Sequence, residues 1–315
     1  ATTIPAKIRR FPTGRCTFIM PRFRHADLDI HYEQWGARAN PPLLLLHGLS
    51  CQIIHWPQGL IDHLTEAGYR VIAMDNRDMG LSSRVSAPAP KVADILAAMD
   101  DLSRYPPSYT LSDMAADAVA LLNHLGQAGA HIIGLSMGGM IAQTLAIGHP
   151  ERTFSLTSIM STTGNPNLPP GEPEALAAFI IDRPEDRDEA IAQYQRGWDT
   201  VAGPHFNSLT EGLARFSEQA VDRGFSGEGF ARQLLAILHQ PDRRRALAKV
   251  TAPGLVIHGG ADPLVPLAAG EDTAKALSNG QLKVFDKMGH DLPEPLLAEI
   301  AAAIIDHINA APSTR

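Results

Sequence analysis

The chain has 315 residues, 44% of them apolar and 19% charged, with a net charge of -7. That is the composition of a globular protein with one large domain or two ordinary ones, and it excludes a disordered or fibrous chain. Acidic and basic residues are interspersed, so no nucleic-acid footprint is expected, and Arg243-Arg244-Arg245 reads as a solvated helix face.

The N-terminus carries Arg9, Arg10 and Arg15 but lacks the apolar stretch of a secretory signal. A signal removed earlier would leave no trace. The longest apolar runs, Leu43 to Leu46 and Ala301 to Ile305, are too short to span a bilayer. Cys16 and Cys51 do not make a disulfide framework, so a reducing cytoplasm is the expected compartment.

Leu28 to Trp35 alternates as a half-buried strand, and Leu43 to Leu46 reads as a strand buried on both faces. Ile53 to Ala67 is predicted to be one helix, followed by a strand from Tyr69 to Met74. Ala87 to Pro107 is an irregular excursion with one short helix. Ser112 and Asp113 can cap a helix running to about Leu125. Then come strand Ala130 to Leu135, helix Met137 to Gly148 and strand Ser155 to Met160. This alternation predicts βαβ units and a mostly parallel sheet of about eight strands.

From about Gly164 to Pro241 the rhythm breaks into helix-forming sequence with no convincing strand. It returns with strand Gly254 to His258, a helix near Leu267 to Leu277, strand Gln281 to Asp286 and a last helix to about Asn309. Residues 1–163 and 242–315 are therefore expected to form one core. Residues 164–241 are expected to form a helical cap over the sheet's carboxyl edge, where open α/β sheets place their ligands.

The central chemical signal is Gly134-Leu135-Ser136-Met137-Gly138. A G-x-S-x-G string between strand and helix forms a nucleophile elbow, with small residues making room for a strained serine. Gly224-Phe225-Ser226 begins similarly, but Glu228 stands where the second glycine should be. Serine needs a base within hydrogen-bond reach, itself oriented by an acid. Asp262 and His290 follow the last two predicted strands, in the order nucleophile, acid, histidine. The loop after Ser155 to Met160 offers no acid, and Asp291 is expected to project elsewhere. His258 reads as a core or supporting histidine, His307 as solvated, and no histidine pair has metal-ligand spacing. No metal or cofactor is indicated.

Oxyanion donors are expected from the backbone N–H of Met137, at the start of its helix, and of Leu49 in His47-Gly48-Leu49-Ser50. His47 is expected to prop that loop. The candidate pocket residues are Trp56 and Met140, with Phe179, Tyr194, Trp198, Phe206, Phe225 and Phe230 of the helical block.

Five segments, in order, carry a resemblance: His47-Gly48; Asp75 to Ser82; the Ser136 elbow; Gly260-Ala261-Asp262-Pro263; and Gly289-His290. Together they resemble the α/β-hydrolase superfamily from about Phe23 to the last helix, and are most similar to bacterial esterases of the aclacinomycin methylesterase type. The resemblance implies a Ser136, Asp262 and His290 triad, with Leu49 and Met137 as oxyanion donors. It implies a carboxylesterase working through an acyl-enzyme on small to medium esters, with no cofactor. Enol-lactonases and carbon–carbon bond hydrolases keep serine at the elbow and stay open as alternatives, as does a non-catalytic ligand receptor. One departure is Arg77-Asp78, where many relatives have Arg-Gly, so this loop is expected to differ in shape.

Overall fold

A computed structural model of the chain describes residues 21–206 and 210–311. Cys16 and the basic N-terminal stretch lie outside the described residues. Strands β1 (Arg22–His25) and β2 (Leu28–Trp35) form an antiparallel pair. They lead into β3 (Pro42–Leu46), α1 (Gln58–Glu66) and β4 (Arg70–Met74). An irregular stretch holds α2 (Val92–Ala97) before α3 (Leu111–His124). Next are β5 (Ala130–Leu135), α4 (Met137–Gly148) and β6 (Thr153–Ile159). Four helices follow: α5 (Pro173–Phe179), α6 (Arg187–Val201), α7 (Thr210–Asp222) and α8 (Gly227–Leu238). Short α9 (Arg244–Leu247) precedes β7 (Gly254–Gly259), α10 (Leu267–Ala276), β8 (Gly280–Phe285) and α11 (Leu297–Ala310).

The eight strands form one sheet in the order β1-β2-β4-β3-β5-β6-β7-β8. It is parallel from β4 to β8, and antiparallel only where β2 joins β1 and β4. Fully buried Leu43 to Leu46 explain the continuous apolar run: alternate residues feed separate cores on the two faces of the sheet. One core takes Leu44 and Leu46 with α3 and α4, and the other takes Leu43 and Leu45 with α1 and α11. The topology brings the carboxyl ends of β3, β5, β7 and β8 to one edge. Among the described residues no helix is long and apolar enough to cross a membrane.

Three expectations need correction. Ile53 to Ala67 is not one helix: a single 3-10 turn, Ile53–His55, stops before Pro57, and α1 starts after it. Proline disfavours helical backbone in the residue before it, and Trp56 is accordingly extended at ψ 117°. Arg243 is not solvated: it is buried, and its guanidinium donates to Gln143 Oε1 at 3.1 Å and to the Thr162 carbonyl at 2.6 Å. His307 is likewise buried rather than solvated, on the inward face of α11, and burial lowers its pKa.

Candidate active site

The turn between β5 and α4 holds Ser136 at φ 55°, ψ -121°, a conformation that a side-chain-bearing residue enters only under constraint. Two glycines make it possible. A Cβ on Gly134 would stand 2.0 Å from the Gly138 carbonyl oxygen, and one on Gly138 would stand 1.9 Å from that of Leu46. The Ser136 N–H donates to the Ile159 carbonyl at 2.9 Å, and the Ser161 hydroxyl donates to the Ser136 carbonyl at 2.8 Å. The serine is thus pinned between β6 and the start of α4.

His290 meets it from the loop after β8. Its Nε2 lies 3.0 Å from Ser136 Oγ, and its Nδ1 lies 2.7 Å from Asp262 Oδ2. Asp262 Oδ1 accepts the N–H groups of Leu264 and Val265 at 2.9 and 2.8 Å, which fixes the carboxylate. An ionised carboxylate only accepts, so His290 Nδ1 carries a proton and Nε2 is free to accept from the serine hydroxyl. His258, fully buried beneath Asp262, is turned to the Val265 carbonyl at 2.8 Å, and burial lowers its pKa. The neighbouring Asp291 faces a cavity, and burial raises its pKa.

The loop after β3 runs against the serine. A Cβ on Gly48 would stand 3.1 Å from Ser136 Cβ, so glycine permits the close approach of the peptide leading to Leu49. The Gly48 N–H donates to His47 Nδ1 at 2.7 Å, and Asn76 donates to the His47 carbonyl at 3.0 Å. On the other side, Met137 is the first residue of α4, so its N–H has no helical carbonyl to reach. The helix dipole adds positive potential at that point.

A cavity of about 650 Å³ opens beside His290. Leu135, His47, Trp56 and Trp198 line it, together with Glu33, Asp291 and Glu294. Ser136 is not itself among the lining residues, although Leu135 and His290 are. Met140 and Phe206 are not on this wall either: Met140, on α4, is buried in the core, and Phe206 is half-buried. Phe179, Phe225 and Phe230 pack among the block's helices, with Arg183 stacked over all three rings.

Sequence reading named His47 as a prop for its loop but missed two groups here: its pairing with His55, and the ties of the helical block. His47 is buried and His55 half-buried, with ring centroids 5.4 Å apart. Burial, with a smaller repulsion from other histidines, pushes His47 down to about 3 and His55 well below its ordinary value. His55 Nε2 is also hydrogen-bonded to Tyr194 on α6. The second group is the fastening of the 164–241 block. The His290 N–H donates to the Val201 carbonyl at 2.8 Å, at the end of α6. Arg223 pairs with buried Asp75 at 2.8 Å, and Arg232 with buried Asp78 at 2.9 Å. Only the Arg77-Asp78 departure hinted at this.

An eight-stranded, mostly parallel sheet with a strained serine, a histidine and an aspartate at its carboxyl edge defines a class, the α/β hydrolases. The chain belongs to the alpha/beta hydrolase fold family, whose model matches residues 41–294. It is 28% identical over 308 residues to rhodomycin D methylesterase DnrP of Streptomyces peucetius, covering 90% of this chain and 96% of that one. It is also 28% identical over 272 residues to a 2-hydroxy-6-oxononadienedioate/2-hydroxy-6-oxononatrienedioate hydrolase of Burkholderia vietnamiensis, covering 84% and 85%. In fold it is similar to a meta-cleavage product hydrolase from Pseudomonas fluorescens, with a TM-score of 0.72 at 21% identity over 92% of this chain and 97% of that one. Hydrolase activity is what these relatives have in common.

Proposed function

We propose that the protein is a carboxylic ester hydrolase that works through an acyl-enzyme on Ser136. The observation that carries this reading is the continuous chain from Ser136 Oγ through His290 to Asp262, at 3.0 and 2.7 Å. His290 Nε2 takes the hydroxyl proton as Oγ attacks the ester carbonyl. Asp262 holds the imidazole in the tautomer that can do so and stabilises its cation. The N–H groups of Leu49 and Met137 receive the developing oxyanion, and the alcohol leaves with the proton from His290. Water, deprotonated by the same histidine, then releases the acid. The 164–241 block acts as a lid whose Trp198, with Trp56 of the core, bounds the site for the ester's apolar part.

Two considerations favour an ester over carbon–carbon cleavage. The methylesterase relative matches nearly the whole chain. The dienedioate named for the Burkholderia relative carries two carboxylates, which call for a cation in the pocket. Among the described residues lining the cavity there is no Lys or Arg, and three carboxylates line it, those of Glu33, Asp291 and Glu294. A lactone is an internal ester that the same groups could open.

The test is a panel of aryl and methyl esters, one lactone and one dienedioate, run on wild type and Ser136→Ala. Esters are expected to be the better substrates, and the variant should lose roughly 10⁴-fold or more in kcat with its fold intact. Preference for the dienedioate, or near-normal esterase activity in Ser136→Ala, would overturn the reading.

A further inference from the structure

The Leu49 peptide is held from an unexpected direction. The Cys51 N–H donates to the Gly48 carbonyl at 3.2 Å, closing a β-turn with Leu49 and Ser50 at its centre. Ser50 sits at φ 63°, the left-handed value that a type II turn requires at its third residue and that glycine normally fills. A serine there has a competing turn in which the central peptide is flipped, so something must select the observed form. The Ser50 hydroxyl is buried without a partner and does not do it. The Ser50 N–H, however, donates to Gln233 Oε1 at 3.0 Å.

Gln233 is on α8, 183 residues along the chain from Ser50, and is completely buried. Its Nε2 donates in turn to the Arg77 carbonyl at 2.9 Å, so the amide bridges the loops after β3 and β4. Its neighbour Arg232 fixes the helix: Nε and Nη2 each donate to the Asp78 carboxylate at 2.9 Å, and Nη1 donates to the Ala87 carbonyl at 2.7 Å. Close backbone packing adds to this, since a Cβ on Gly229 would stand 2.4 Å from the Asp78 carbonyl oxygen.

We infer that Gln233 is a positioning residue, which from the helical block anchors the Gly48–Cys51 turn through its Ser50 N–H and so fixes the place of the preceding Gly48–Leu49 peptide, whose N–H faces the oxyanion. The inference rests on the esterase reading above. It makes the lid and the oxyanion site one mechanical unit: when α8 lifts, the Ser50 N–H loses its acceptor and the turn can relax. Gln233 touches no reacting atom. Its loss should therefore act on the transition state and spare ground-state binding.

Three variants test this with an aryl ester. Gln233→Met keeps the volume and removes both hydrogen bonds. It should lower kcat by roughly 10- to 100-fold with KM unchanged, the size expected for one misplaced oxyanion donor. Gln233→Glu in its neutral form keeps the acceptor and the donor, and should recover most of that loss. Gln233→Asn withdraws the acceptor by one methylene and serves in place of the Met variant if that one does not fold. Affinity for an arylboronic acid, which forms a tetrahedral adduct on Ser136, should fall in step with kcat, while affinity for the product carboxylic acid should not. Wild-type kcat in Gln233→Met or Gln233→Asn, or equal losses of boronate and product affinity, would overturn the clamp alone. A wild type that neither hydrolyses esters nor reacts at Ser136 with a phosphonate would overturn the esterase reading itself.

Discussion

Ser136 and Asp78 both hold left-handed backbone at φ 55° and 74°, although neither is glycine. What keeps them there differs. Around Ser136 the constraint is local: Gly134 and Gly138 remove the clashes, β5 ends on one side and α4 starts on the other. Around Asp78 the constraint is remote. Its carboxylate accepts from Arg232, 154 residues away, from the Tyr109 hydroxyl and from the Val85 N–H. In the proposed mechanism the first arrangement belongs to the chemistry, whereas the second belongs to the seat of α8, so their failures should look different. Loss of Ser136 should remove turnover and leave stability. Loss of the Asp78 partnership should do the reverse, and reach turnover only through the position of α8.

Arg232→Ala is the largest expected effect on stability. It leaves a fully buried carboxylate without its cation, and breaking a buried pair in this way costs about 3 to 5 kcal/mol. Urea unfolding should show it directly. Removing both charges, as Asp78→Gly with Arg232→Met, should recover most of the loss, because the desolvation cost of the pair disappears with it. A loss below about 1 kcal/mol in Arg232→Ala would mean that the two left-handed residues are not held in different ways.

The same contrast explains what could be read from the sequence. Strand and helix positions in the sheet region follow from periodicities that local sequence carries, and β5, α4 and β7 stand within a residue of the predicted spans. Ser136 and His290 were legible because glycines and strand ends mark their loops. The fastening of the helical block was not, since nothing near Gln233 or Arg232 says which loop each will meet. A buried arginine in an amphipathic helix looks like a surface one until its partner is known. Arg243, just before α9, was misread in the same way, because its partners Gln143 and Thr162 lie 100 and 81 residues away. Trp56 was placed in a helix because its apolar spacing outweighed the veto of Pro57.

A smaller effect comes from the buried histidine of the Gly48 loop. His47 holds no proton above about 3 in the folded chain, whereas an unfolded chain takes one up near the ordinary 6.5. Below pH 6.5 the unfolded state therefore binds the extra proton, and stability falls as pH drops toward 3, by up to about 1.4 kcal/mol per pH unit. Urea midpoints at pH 7, 6 and 5 should decline in that order. Substituting His47→Gln should flatten the slope, even if it lowers the value at pH 7. An unchanged slope in that variant would show that His47 is not the group resisting protonation.

The smallest effect should come from Arg187, which joins α6 to α7 inside the helical block. Its guanidinium donates to both Asp222 carboxylate oxygens, at 2.7 and 2.9 Å, in geometry as good as that of Arg232 with Asp78. The difference is water: the Arg187 and Asp222 side chains are 52% and 55% exposed. Solvent and salt screen the attraction, and either partner is rehydrated once the other is gone. Arg187→Ala should therefore leave the urea midpoint unchanged within error, at low and at high salt. A shift approaching that of Arg232→Ala would mean that bidentate geometry, and not burial, sets the strength of these fastenings. The seat of α8 would then be only one contact among equals.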